Sequence, residues 1–321
     1  MEFLGHDLPA PLFLAPMAGV TDYAFRTVCA RLGAAVTVTE MVSSRALVYQ
    51  DKKSRSLLRK NEGSLCGAQI FGNDPEIMAE AAKLALEYSS CDFIDINMGC
   101  PMPKIAGNGD GSALMKDHAL AGRIIRAVKD RVDVPVTVKT RIGWDKGSID
   151  VVELAKIAQD NGCDAIAVHG RTKTMLYSGI ADWDEIKKVR NAVTIPVIAN
   201  GDIVSPESAL RCKARSGCEL LMVGRGVFGD PWIFGRLAAA LQGQSEPERP
   251  SLAERMDVAM EQFRLNVEDK GEHIACLEAR KHFAWYLKGV SHSAFYKEQI
   301  SRLSTPEEVQ AVVKAIKRDL R

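Results

Sequence analysis

The chain has 321 residues, 46% of them hydrophobic and 26% charged, with a formal net charge of +1 and a sequence pI of 7.6. This composition, with a mean hydropathy of −0.08, excludes a disordered or collagen-like chain, and no apolar run approaches the roughly 18 residues of a membrane span. Bulk charge gives no nucleic-acid footprint, so any such site has to be a local basic patch.

The first residues, Met1 to Asp7, hold neither a basic segment nor an apolar one, so no signal peptide is read and a cytoplasmic location is expected. From Leu12 onward, short apolar runs alternate with helical patterns. The strand candidates are Leu12–Ala15, Val36–Thr39, Gly67–Phe71, Phe93–Asn97, Val136–Lys139, Ala165–His169, Val197–Asn200 and Leu220–Val223, each nearly continuous in apolar residues as strands buried on both faces are. Between them, Leu120, Ile124, Ile125, Val128 and Val132 form one stripe, with Arg123, Arg126, Lys129 and Asp130 opposite. Val151, Leu154, Ala155 and Ala158 form another, and Gly162 stands where a C-cap glycine belongs. An apolar-Pro-Val step before a strand occurs at Val134-Pro135-Val136 and again at Ile195-Pro196-Val197, an echo of one repeated unit. Eight strands in strict alternation with helices predict an α/β fold, a closed (β/α)₈ TIM barrel, with an open doubly wound sheet as the alternative.

The polar stretch from Gln242 to Pro250 reads as a linker. The expected organisation is therefore a barrel over 1–242, a linker over 243–250 and a small all-helical domain over 251–321. In that last part Leu252, Met256, Ala259, Met260, Phe263 and Val267 share a face. Thr305, Pro306 and Glu308 spell a helix start with a capping box. From Cys276 to Arg302, five cations (Arg280, Lys281, Lys288, Lys297, Arg302) stand against two carboxylates, a local net of +3, with Trp285, Tyr286 and Tyr296 interleaved as stacking or packing groups. Lys314, Lys317, Arg318 and Arg321 read as a solvated helix face.

Barrel active sites lie at the carboxyl ends of the strands. Here those ends carry Pro16-Met17-Ala18-Gly19, Glu40-Met41, Gln69, Asn97-Met98-Gly99-Cys100-Pro101, Lys139-Thr140-Arg141, His169-Gly170-Arg171, Asn200-Gly201-Asp202 and Gly224-Arg225-Gly226. A lysine leaving a buried strand is unfavourable without a partner, so Lys139 points to function. His169 could be a ligand contact or a hydrogen-bonded structural residue, and Glu40 a site residue or a loop anchor. The loops after strands seven and eight hold glycines and Arg225, the makings of a phosphate cradle. Gly224-x-Gly226-x-x-Gly229 matches the dinucleotide fingerprint in letters only, because no strand with an acidic end follows it. The eight cysteines form no C-x-x-C pair and do not gather with the six histidines, so no metal site is expected. Seven of them read as small buried hydrophobes; Cys100, between Gly99 and Pro101 at a strand end, does not.

These strings resemble the tRNA-dihydrouridine synthases, and among them the bacterial B-type branch. The resemblance rests on Ala15-Pro16-Met17-Ala18-Gly19-Val20-Thr21-Asp22, Glu40-Met41-Val42, Gln69-Ile70-Phe71-Gly72, Asp95-Ile96-Asn97-Met98-Gly99-Cys100-Pro101, Val138-Lys139-Thr140-Arg141, His169-Gly170-Arg171-Thr172, Ala199-Asn200-Gly201-Asp202 and Ala279-Arg280-Lys281-His282-Phe283. It implies a tRNA substrate, an FMN cofactor and NADPH as reductant, reducing a D-loop uridine at its C5=C6 bond. It further implies that Pro16, Met17 and Ala18 line the flavin ring and that Gln69 and Lys139 meet its polar edge. Asn200, Gly201, Asp202, Gly224 and Arg225 would hold its phosphate. Cys100 would donate the proton, Asn97 would touch the uracil edge, His169 and Arg171 would lie near flavin or base, and Arg280 and Lys281 would face RNA. Asp110 departs from the pattern, placing an acid in a loop expected to meet RNA. The alternatives are a flavoenzyme of the dihydroorotate or dihydropyrimidine dehydrogenase type, a lysine-dependent aldolase or isomerase barrel, and a tRNA-binding protein without catalysis. A monomer is expected.

Overall fold

Continuous apolar runs become strands because both of their faces find cover. In the computed structural model, which describes residues 1–320, they are β1 (Leu12–Leu14), β2 (Val36–Val38), β3 (Leu65–Phe71), β4 (Phe93–Met98), β5 (Val136–Arg141), β6 (Ala165–His169), β7 (Val197–Asn200) and β8 (Leu220–Val223). All neighbours are parallel. The ring closes where β8 pairs with β1, Val223 opposite Leu14, so the closed barrel and not the open sheet is the architecture. Strand β5 runs two residues beyond its expected end, to Arg141.

The helices of the outer layer are α1 (Tyr23–Arg31), α2 (Ser44–Val48), α3 (Pro75–Ser89), α4 (His118–Lys129), α5 (Val151–Asp160), α6 (Trp183–Ala192), α7 (Pro206–Ser216) and α8 (Ile233–Leu241). Their starts are written locally. Before α3, the Asp74 carboxylate accepts from the N–H groups of Glu76 and Ile77 while Pro75 fills the first turn. Helix α5 ends at Asn161, and Gly162 follows at φ +90°.

A strand turns alternate side chains to opposite faces, and here this sorts two cores. Leu12, Leu14, Ile166, Val168, Val197 and Ala199 face the helices. Phe13, Ala165, Ala167, Ile198, Leu220 and Met222 fill the barrel. A hairpin at the N-terminus (Glu2–Phe3 with His6–Asp7) inserts Phe3 from below, edge-on to Phe13 with ring centroids 4.9 Å apart. Gly67 leaves room for the Phe93 ring, which a Cβ there would meet at 2.2 Å.

After Leu241 no helix forms until α9 (Leu252–Lys270), followed by α10 (Glu272–Tyr286), α11 (Ala294–Ile300) and α12 (Pro306–Asp319). These have a core of their own, built on Met256, Phe263, Phe283, Tyr286, Val309 and Ile316. Thr305 and Glu308 form the capping box of α12. On the outer side of α12, Lys317 pairs with Asp257 and Arg318 with Asp319; Arg321 lies outside the described residues. Among the described residues no helix is long and apolar enough to cross a membrane.

The helical region is bolted to the barrel through α1. Asp22, buried at its N-cap, receives the Lys270 ammonium at 2.7 Å, which also reaches Glu278 at 2.5 Å. Burial works against the Asp22 charge, yet Lys270 and His282 hold its carboxyl below the usual range. His282, 3% exposed, packs against Phe25 and Trp285. Burial there pushes its imidazole down to about 4, with Asp22 opposing. As pH falls, the unfolded chain takes up a proton near the ordinary 6.5 that the folded chain refuses until about 4, so stability present above 6.5 is lost across that window. Denaturant titrations between about pH 7.5 and about pH 5 should show a loss of about 2 kcal/mol, and His282→Gln should flatten the slope. An unchanged slope would place the titrating group elsewhere.

Candidate active site at the barrel mouth

Parity that fills the barrel floor with apolar groups brings polar ones inward near the top. On β4 these are Asp95 and Asn97, on β5 Thr137, Lys139 and Arg141, on β6 His169 and on β7 Asn200. The strand register sets Asn97 opposite Lys139, Arg141 opposite His169 and His169 opposite Asn200. Thr137 Oγ1 donates to Asp95 Oδ1 at 2.6 Å, Gln69 Nε2 donates to Asp95 Oδ2 at 2.6 Å, and Asn97 Nδ2 donates to Gln69 Oε1 at 2.9 Å. Asn97 Oδ1 then accepts from the N–H groups of Gly99 at 3.1 Å and Cys100 at 2.9 Å. Burial lifts the Asp95 carboxyl above its usual range, against these hydrogen bonds and the Lys139 charge.

This chain of bonds ends at the cysteine turn. Arg141 supports it from the other side, its Nε donating to Gly99 O at 2.9 Å and its Nη1 to Thr172 O at 3.0 Å and Leu176 O at 2.8 Å. Gly99 leaves space for the β5 backbone, with Thr140 C 3.1 Å from where a Cβ would stand. Cys100 is 9% exposed, at the rim. Burial raises its thiol above the ordinary value, while Lys139 and Arg141 oppose the shift. The sulfur therefore carries its proton at neutral pH.

Cations converge across the mouth. Burial, then Arg141, push Lys139 down to about 8, and its one hydrogen bond among the described residues is a long one, 3.4 Å to Asn200 Oδ1. His169 is held well below its ordinary value by burial and by Lys139, Arg141, Arg171 and Arg225, so the ring is neutral. Arg171, 2% exposed, makes four contacts: Nε on Ser178 O at 3.0 Å, Nη2 on Gly179 O and Asp202 Oδ2 at 2.8 Å, and Nη1 3.3 Å from His169 Nε2. Asp202 sits at φ +55° and also accepts from the Ala181 N–H at 2.8 Å. Beside it Gly201, at φ +123°, leaves no room for a side chain: a Cβ would lie 2.7 Å from Ala181 Cβ and 3.0 Å from His169 Cδ2. Arg225 is 45% exposed, 3.7 Å from Asp202 Oδ1 and over the Tyr177 ring. Gly224, before it, opens the wall, since a Cβ there would meet only Ala15, at 3.9 Å.

Pro16, Met17 and Ala18 follow β1, next to the loop after β8, and are partly open or exposed. Their loop is fastened at Gly19, whose N–H donates to the Glu40 carboxylate and whose carbonyl accepts from Lys281 of α10. Glu40 is thus a loop anchor.

Comparison with known proteins decides the lineage. The profile of the family described as "Dihydrouridine synthase (Dus)" matches residues 13–321. The chain belongs to the dihydrouridine synthase family. It is 40% identical over 306 residues to a "Probable tRNA-dihydrouridine synthase" of Rickettsia conorii, covering 95% of this chain and 92% of that protein. It is 43% identical over 290 residues to "tRNA-dihydrouridine synthase B" of Vibrio vulnificus, covering 90% and 89%, and 42% identical over 311 residues to the protein of that name from Pseudomonas aeruginosa, covering 96% and 93%. Among solved structures, histamine dehydrogenase from Rhizobium sp. 4-9 aligns with a TM-score of 0.60 at 14% identity, over 83% of this chain and 50% of that one, a likeness of fold.

In this dihydrouridine synthase the structure brings Cys100, Lys139, His169, Asn200, Asp202 and Arg225 to one mouth. Gln69 and Asn97 stand there too, but with their amides engaged inside the protein, so they brace the cysteine turn. Arg171 holds His169 and the loop after β6 in place through four of its five N–H donors. Arg280 and Lys281 are half-buried on α10; Arg280 Nε donates to Leu303 O at 2.8 Å, and Lys281 turns to the barrel. Tyr286 and Tyr296 are buried, and Trp285 stacks on Phe228 at 4.2 Å, so all three are packing groups. Asp110 is half-buried, its carboxyl raised by burial with Arg45 opposing. Arg141 and Asp95 stand in the motifs read from the sequence but were given no role there, although the period of two places Arg141 on the same face as Lys139 and Asp95 on the same face as Asn97. An under-partnered Lys139, a half-exposed Arg225 and two glycine-walled loops fit an anionic group with a flat polar edge.

Gly201→Ala combines strain with overpacking and should lower unfolding stability by about 2–4 kcal/mol, read from a denaturant midpoint. Gly243→Ala, at φ +68° with nothing within 4 Å, is the control and should lose much less.

Proposed function

We propose that this chain reduces the C5=C6 bond of a D-loop uridine in tRNA to 5,6-dihydrouridine, with FMN as cofactor, NADPH as reductant and Cys100 as the catalytic acid. One observation carries the reading: a buried thiol at the rim, its turn braced by Asn97 and Arg141, stands beside the charges of Lys139 and Arg141. A small-molecule dehydrogenase of the dihydroorotate type has no use for the helical region that grips the barrel loops here.

Pro16, Met17 and Ala18 would line the flavin ring, with Lys139 and His169 at its polar edge. Asn200, Gly201, Asp202, Gly224 and Arg225 would hold its phosphate, glycines allowing backbone N–H groups close to oxygen. Reduced FMN, when bound, supplies the hydride that reaches C6 of the uracil. Saturating the double bond also requires a proton at C5, and the Cys100 thiol delivers it as negative charge develops there. The residual positive charge of Lys139 and Arg141 stabilises that developing anion and then the thiolate left behind. The neutral His169 completes the mouth without adding another cation. Because a uridine inside folded tRNA is out of reach, the base must be extruded into this mouth. Cations of the helical region, Arg280 among them, would hold the RNA backbone.

Cys100→Ala should retain flavin and its reduction by NADPH, yet lose about 10²–10⁴-fold in dihydrouridine formation, followed by mass spectrometry of the tRNA. In the unaltered chain the alkaline limb of single-turnover uridine reduction should lie above the ordinary thiol range of about 8.5, since burial raises this acid. Product formation at the normal rate by the alanine variant would remove Cys100 as the acid. Arg280→Gln should weaken tRNA binding and reduce the salt slope of log K by about one. Filter binding over a salt series reads both, and an unaltered slope would take Arg280 out of the interface.

A further inference from the structure

Helix α10 presents two residues four positions apart, Lys281 and Trp285, on one face, and each reaches a different loop of the barrel mouth. Lys281 Nζ donates to the Gly19 carbonyl in the loop after β1. Trp285 stacks flat on Phe228 in the loop after β8, with ring centroids 4.2 Å apart and planes 5° from parallel. The approach is close enough that a Cβ on Gly229 would lie 2.0 Å from Trp285 O. The two side chains also touch each other, the ammonium 5.7 Å from the indole centroid. Gly19 itself sits at φ +71° and is gripped on both of its backbone groups, its N–H by Glu40 and its carbonyl by Lys281. Of Pro16, Met17 and Ala18, immediately before it, Met17 is held only within its own turn, its N–H on Thr21 Oγ1 at 2.8 Å and its carbonyl accepting from the N–H groups of Val20 at 2.9 Å and Thr21 at 3.0 Å, so Gly19 is where the turn is tied to the rest of the protein.

We infer that Lys281 is a positioning residue of the reaction, which fixes the Pro16–Ala18 bed through the Gly19 carbonyl instead of binding RNA. This inference rests on FMN occupying the mouth. The helical region then does more than dock substrate: one turn of α10 ties together the adjacent loops after β1 and β8 on one side of the cofactor. The charge-assisted bond to Gly19 is the adjustable half of that strut and the Phe228–Trp285 stack the rigid half.

The test uses the full chain, stripped of flavin and titrated with FMN by fluorescence quenching, alongside tRNA filter binding. Lys281→Met should weaken FMN about tenfold, the size of one charge-assisted hydrogen bond lost from a positioned loop, and shift the visible band of the bound flavin. Its tRNA affinity and salt slope should stay within about twofold of the unaltered chain, and Lys281→Arg should restore FMN binding. Glu40→Met removes the acceptor of the Gly19 N–H, releases the same glycine from the barrel side and should reproduce the loss of FMN affinity, which keeps the test open if the Lys281 variant does not fold. FMN binding unchanged in Lys281→Met, with or without loss of tRNA affinity, would overturn the inference. Failure of the unaltered chain to bind FMN would instead bring down the cofactor reading itself.

Discussion

A closed parallel barrel leaves each strand residue only two directions, toward the helices or toward the axis, and everything at this mouth follows from that choice. Below, the axis is filled by Phe13, Phe93, Ala165, Ile198 and Leu220. Above, the same parity forces Asp95, Asn97, Thr137, Lys139, Arg141, His169 and Asn200 into a common space where water is scarce. Polar groups confined in this way have to satisfy one another or a ligand. Some do so internally, through the run from Thr137 by way of Asp95, Gln69 and Asn97 to the Cys100 N–H. Lys139 and Arg225 do so incompletely, and that remainder defines where an anion belongs.

One environment acts in opposite directions on two kinds of group. Burial disfavours charge, so it lowers the Lys139 ammonium to about 8 and raises the Cys100 thiol. A nucleophilic cysteine would need the reverse, an exposed electropositive pocket that strips its proton. Here the cations are near enough to steady negative charge once it forms and too far outweighed by desolvation to create a thiolate beforehand. A thiol in that condition is suited to giving a proton away.

Local signals were legible in the sequence and long-range ones were not. The Thr305-Pro306-Glu308 start of α12 and the apolar stripes of α4 and α5 depend on neighbours within a turn or two, and they stand in the structure as the letters spell them. The eight strands were readable because cover on both faces removes the alternation that would otherwise confuse them. Asp95 is hidden inside such a run, and Arg141 lies past the point where the apolar letters stop; only the parity of a strand whose direction is known reveals them. Residue type also said nothing about aim. Gln69, Asn97 and Arg171 are donors that the family resemblance assigns to ligands, yet the register of neighbouring strands and loops gives them partners inside the protein. Lys281 was visible as a cation, but its turn toward Gly19 depends on how α10 meets the barrel. That meeting is fixed by Asp22 and Lys270, 248 residues apart in sequence.

The hairpin beneath the barrel has a consequence for proton traffic. With Phe3 seated against Phe13 and Phe93, the cylinder is a cup stoppered at its base, and bulk water reaches its upper polar layer only over the lip. On the proposed reading, a flat ligand and a base across that lip would cut Asp95 and its Thr137, Gln69 and Asn97 partners off from bulk water. Reprotonation of the sulfur between turnovers would then wait for the RNA to lift, so that departure of product and recharging of the proposed acid would become the same event.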